Sequence, residues 1–74
     1  MNISFEDFNK KTECTCSLES FERTCKALEE YSLAHHKLVK ELSDIDLKHI
    51  SDELGYCLRF VITVSDYMIK SRGE

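Results

Sequence analysis

The sequence predicts an all-α fold, an antiparallel hairpin of two long helices preceded by an N-terminal arm or short helix, and completed by self-association or by a partner. Three observations lead to it. The stretch from Leu54 to Ile69, LGYCLRFVITVSDYMI, carries only two charges, Arg59 and Asp66. Through it and the residues before it, Leu47, Ile50, Leu54, Cys57, Val61, Val64 and Met68 recur at alternating steps of three and four, the a/d seam of a coiled-coil-like helix. Upstream, Leu18, Phe21, Cys25, Leu28, Tyr31, His35, Leu38 and Leu42 repeat the same spacing.

The chain divides into an arm with its linker, residues 1–16, and a hairpin, residues 17–74. In the arm, Ile3, Phe5 and Phe8 lie close together with acids between them, enough for a turn or two of amphipathic helix or for a flexible arm. TECTCS follows, small and turn-prone, and reads as a linker. Ser17 is a good N-cap, with Glu19 suitably acidic for the positive end of a helix running to about Leu42. Glu19 with Arg23 and Glu22 with Lys26 set opposite charges four apart on its outer face. Ser43, Asp44, Ile45, Asp46 is a capping-box-like start, so the turn between the helices is very short and makes them antiparallel. The second helix is expected from Asp44 to about Lys70. Gly55 falls inside it at a cost of roughly 1 kcal/mol relative to alanine, usually tolerated where close packing gains from the missing side chain, and close approach of another helix is one such reason. Gly73, after Lys70 and Arg72, supplies the stop. The run FVITV has strand character, but no second strand candidate exists to pair with it.

Composition narrows the function. A net charge of -4, with lysines interleaved among acids, argues against direct nucleic-acid binding. The apolar stretch is shorter than the about 20 residues that a bilayer requires. The opening MNISFEDFNKK lacks the long apolar run of a leader, so a cytoplasmic protein is expected, with Cys14, Cys16, Cys25 and Cys57 as free thiols. Cys25 and Cys57 read as small core hydrophobes. Cys14 and Cys16 form a single CxC, and with His35 or His36 two thiolates reach the ligand count of a zinc site, but the second spaced pair is missing. His35 and His36 are adjacent on a helix and diverge by about 100°, one toward the other helix and one toward water. His49 belongs on the polar side of the second helix. No base, nucleophile and orienting group fall together, so neither catalysis nor a metal or cofactor is expected.

The second helix is apolar nearly all round. Beside the seam run one stripe of Leu58, Ile62, Ser65 and Ile69 and another of Tyr56, Phe60, Thr63 and Tyr67. A domain this small buries only roughly 60% of its unfolded surface, and a single further helix covers one stripe. The expected partner-binding surface is therefore Leu54, Tyr56, Leu58, Phe60, Ile62, Tyr67 and Ile69, taken up by a protein partner or by another copy.

An acidic hairpin ending in ELGYCLRFVITVSDYMI resembles the small co-chaperones of bacterial type III secretion needle subunits. That resemblance covers residues 17–70. It implies a cytosolic, chaperone-like adaptor that pairs with a larger helical chaperone around an aggregation-prone needle subunit. SLESFER, from Ser17 to Arg23, is in turn similar to the opening of the second helix in the Hha and YmoA family of nucleoid modulators, with Asp7, Phe8, Asp46 and Lys48 laid onto the same pattern. This second resemblance implies a histone-like DNA-binding partner and no base reading by the chain itself. An acidic immunity or antitoxin protein is a third class that fits the charge.

Overall fold

Four α-helices and one short 3-10 turn make up residues 4–72, the part of the chain that the computed structural model describes. Ile3 and the Gly73 stop fall outside them. Helix α1, Phe5–Thr12, is capped by Ser4, whose hydroxyl accepts from the Asp7 N–H at 3.0 Å, and Glu13 ends it in a left-handed conformation. The N-terminal arm is thus a helix. Its Phe8 is completely buried, 4.7 Å from the ring of Phe21 and 5.4 Å from that of Tyr67, with Phe60 edge-on at 6.4 Å.

Helix α2, Leu18–Ala34, begins at Ser17 as expected, where the hydroxyl accepts from the Ser20 N–H at 3.1 Å. It stops eight residues short of Leu42. His36 adopts φ 54°, the left-handed conformation usually taken by glycine, and the Lys37 N–H donates back to the Ser32 carbonyl at 2.8 Å. The chain then makes a 3-10 turn, Val39–Glu41, which buries Val39.

The second expected helix is two. Helix α3, Asp44–Leu54, ends at Gly55, whose φ is 74°, and both the Gly55 and Tyr56 N–H groups donate to the Ser51 carbonyl, at 2.9 and 3.2 Å. Helix α4, Leu58–Arg72, follows after three residues, Gly55 to Cys57. Cys57 sits before it, exposed, its sulfur accepting from the Phe60 N–H at 3.4 Å. Two expectations are corrected here. Gly55 is a helix terminus and not a contact point, since a side chain there would meet nothing within 4 Å. Cys57 caps a helix start and fills no core.

The seam nonetheless stays together, because the corner at Gly55 folds its halves onto one interior. Leu47 and Ile50 from α3 and Val61, Val64 and Met68 from α4 share a core with Phe8, Phe21, Leu28 and Val39. Helix α4 lies at the centre and packs on α1, α2, α3 and the 3-10 turn. Small hydroxyls let the helices approach: Thr24, Ser32 and Ser51 are buried, and each satisfies itself by donating to a carbonyl of its own helix at 2.8 to 3.0 Å. At the far end Arg72 pairs with Glu29 at 2.7 Å and ties α4 to α2. No strand occurs among the described residues.

The sign of one substitution tests the corner. Gly55→Ala is expected to cost about 1 kcal/mol of stability in urea denaturation, because alanine resists a left-handed φ. A continuous helix through residue 55 would instead gain about 1 kcal/mol from the same change.

Candidate protein-binding face

The sequence-predicted surface residues are distributed over the interior and its rim. Tyr67 is only 4% exposed, ringed by Phe8 and Phe21, and its hydroxyl donates to Asp7 Oδ2 at 2.7 Å. Leu54, Tyr56, Leu58, Phe60, Ile62 and Ile69 are half-buried and packed against the core. Phe60 lies edge-on to Tyr56 at 5.8 Å, close to the α3–α4 corner. Helix α1 therefore covers the aromatic stripe at Phe60 and Tyr67.

Among the described residues the most exposed large apolar side chain lies elsewhere. Ile45 is 81% exposed, in the first turn of α3. Helix α3 turns Leu47, Ile50 and Ser51 inward, so residues 44, 45, 48, 49 and 52 share the opposite face. Asp44, Ile45, Lys48, His49 and Asp52, with Leu58 from the first turn of α4, line a shallow hollow whose surface is mostly apolar. Lys48 pairs with Asp52 at 3.4 Å and His49 with Glu53 at 3.1 Å, ion pairs on an exposed helix surface. Leu33, 75% exposed, and Leu38, 47% exposed, flank the turn at His36, and Leu18 is half exposed at the start of α2. Isolated apolar side chains such as Leu33 and Leu38 are ordinary on a protein surface; Leu18 lines a hollow with Phe5, Phe21 and Cys25, and Ile45, the more exposed of the two, adjoins Leu58 in a concave setting.

A polar node holds this face in place. Asp46, whose side chain is 13% exposed, accepts from the Ser43 N–H at 2.9 Å, from the Tyr31 hydroxyl at 2.8 Å and from Lys37 Nζ at 3.3 Å. Those donors, Ser43 first and then Tyr31, hold the carboxyl well below the usual carboxylate range. The same hydrogen bond pushes the Tyr31 phenol up. Tyr31 in turn stacks on His35 with ring centroids 4.1 Å apart, and His35 Nδ1 lies 2.9 Å from the Tyr31 carbonyl, which makes that nitrogen the protonated one. The end of α2 and the start of α3 are thereby locked together. Both His35 and His36 are exposed beyond the end of α2, so neither faces another helix, while His49 lies on the polar side of α3 as expected.

Cys14 and Cys16 lie half-buried in the α1–α2 link, and burial, with Cys14 beside it, pushes the Cys16 thiol up. Cys25 is half-buried and its thiol is pushed up to about 12 by burial and the neighbouring Glu29. Both effects disfavour the thiolate that metal ligation or nucleophilic attack needs. Among the described residues no three His, Cys, Asp or Glu side chains converge as a metal site, and no helix is long and apolar enough to cross a membrane.

Comparison with protein-family models, with curated proteins and with solved structures gives no match.

Reading the sequence for apolar periodicity missed Ile45, because it belongs to neither stripe. Its signal is negative: one isoleucine among Asp44, Asp46, Lys48, His49 and Asp52, where a solvated face needs none.

Asp46 and, through Tyr67 and Lys11, Asp7 are both held low in the folded chain. A lowered folded value means that the unfolded chain takes up protons first. Their stabilisation is full above about pH 4 and is lost as the pH falls through the lower folded values. Urea midpoints measured from neutral pH downward are expected to fall below about pH 4, and Asp46→Asn is expected to lower stability at neutral pH while flattening that acid loss.

Proposed function

We propose that this chain is a small protein-binding module, an adaptor or chaperone-like subunit, whose docking face is the outer side of α3 around Ile45 and Leu58. The observation that carries the reading is the 81% exposure of Ile45 beside an apolar hollow rimmed by Asp44, Lys48, His49 and Asp52. An apolar centre with a charged rim is the anatomy of a protein interface. The polar node at Asp46 keeps α3 fixed before any partner arrives, which lowers the ordering cost of docking.

One observation favours the nucleoid-modulator resemblance over the needle co-chaperone. SLESFER is similar to the opening of the second helix in that family, and Ser17 caps the second helix of this fold. The co-chaperone comparison rests on two long helices, whereas α2 stops at Ala34 and Gly55 divides the rest. On this reading the partner is a histone-like DNA-binding protein, and the chain alters transcription through it. The acidic immunity or antitoxin reading gains no support of this kind.

Affinity-tagged wild-type chain expressed in its own host is expected to retain one protein at near-stoichiometric amount, a DNA-binding protein on the second reading. Ile45→Asp is expected to lose it, with ~10-fold or weaker binding by calorimetry and an unchanged thermal midpoint. Retention of the same partner by Ile45→Asp would show that the docking face lies elsewhere.

A further inference from the structure

The charges around Ile45 are arranged so that the face complements itself. Along one row of α3 they read Asp44, Lys48, Asp52, negative, positive, negative, at steps of four, with Ile45 beside the first of them. All four side chains are exposed, and among the described residues Ile45 is 81% exposed. Two α3 helices laid antiparallel about a two-fold axis at the level of residue 46 bring Asp44 of each copy opposite Lys48 of the other. At 1.5 Å of rise per residue, the two Ile45 side chains then meet beside the axis, offset by about 3 Å. Antiparallel helices also oppose their dipoles favourably. A two-fold contact needs this property, since the same patch must serve as both donor and acceptor of every interaction.

We infer that, without its partner, the chain covers this face with a second copy of itself, forming a two-fold dimer in which α3 packs on α3, Ile45 on Ile45, and Asp44 on Lys48. This rests on the protein-binding reading of the same face. The dimer is weak by construction. With the axis at residue 46, only residues 44–48 of the 11-residue α3 face the other copy's α3, about 7 Å of helix, and a contact of that length falls below the roughly 1,200 Å² that stable complexes bury. A partner with a longer apolar helix displaces the second copy by offering more area at the same site.

The test is absolute mass by light scattering in reducing buffer across a hundredfold dilution, on wild-type chain, Ile45→Asp, Asp44→Lys and Lys48→Asp. Wild type is expected at twice the 8.6 kDa chain mass when concentrated and to dissociate on dilution. Each single variant is expected to dimerise ~10-fold or more weakly, the first by placing carboxylates in the apolar centre and the other two by opposing like charges. An equimolar mixture of Asp44→Lys with Lys48→Asp is expected to dimerise again, because each then faces the opposite charge; that recovery also excludes misfolding as the cause of the single losses. A wild-type monomer at every dilution, a dimer that Ile45→Asp leaves intact, or a mixture that stays monomeric overturns the inference. The two readings fail separately: a monomer that still loses its partner on Ile45→Asp keeps the docking face and removes only the second copy.

Discussion

The fold depends on the ring of Phe8. It enters from an eight-residue helix and contacts Phe21 of α2 and both Phe60 and Tyr67 of α4. A helix as short as α1 has no stability of its own in water and forms because it docks. What it covers is the aromatic stripe of α4, the most hazardous surface in the chain. The contact carries a polar latch as well, since the Tyr67 hydroxyl donates to Asp7 one position before the ring. Apolar burial thus sets where α1 lies, and the hydrogen bond sets its rotation.

Covering that stripe decides where function has room. With α1, α2, α3 and the 3-10 turn all packed on α4, the side of the last helix that carries Val61, Val64, Ser65, Tyr67 and Met68 is the interior of the molecule. Helix α3 is different. Its inner side supplies Leu47 and Ile50, and its outer side is left to solvent with Ile45 in it. The node of Tyr31, Lys37, Ser43 and Asp46 fixes the start of α3 against the end of α2, so the exposed isoleucine sits on a rigid support.

Much of this was legible in the sequence, and the failures have physical causes. The helical class, the Ser17 and Ser43 caps and the buried seam follow from side chains that act locally or by period. The two helix ends that were missed both depend on left-handed residues. Gly55 was visible, but a glycine in an apolar periodic run reads equally as a close contact, and only its φ of 74° distinguishes a terminus. His36 takes the same conformation without being glycine, so composition held no signal for the end of α2. Thr24 is fully buried because its hydroxyl bonds to its own helix at Ser20, a satisfaction that no polarity scale anticipates. Apolar residues are densest on α4, and much of that density serves the core once a third and fourth element are present. Ile45 is a single residue out of pattern, and its meaning depends on knowing what packs on α3.

The covering of α4 by α1 is tested most directly by proton–proton distances between aromatic rings in solution, in a nuclear Overhauser spectrum of the reduced protein. Cross-peaks from the Phe8 ring to the rings of Phe21 and Tyr67, with centroids 4.7 and 5.4 Å away, are expected, together with helical shifts for residues 5–12. Random-coil shifts over those residues and no Phe8 to Tyr67 cross-peak would contradict it, and would return the aromatic stripe of α4 to the surface as the place where a partner binds.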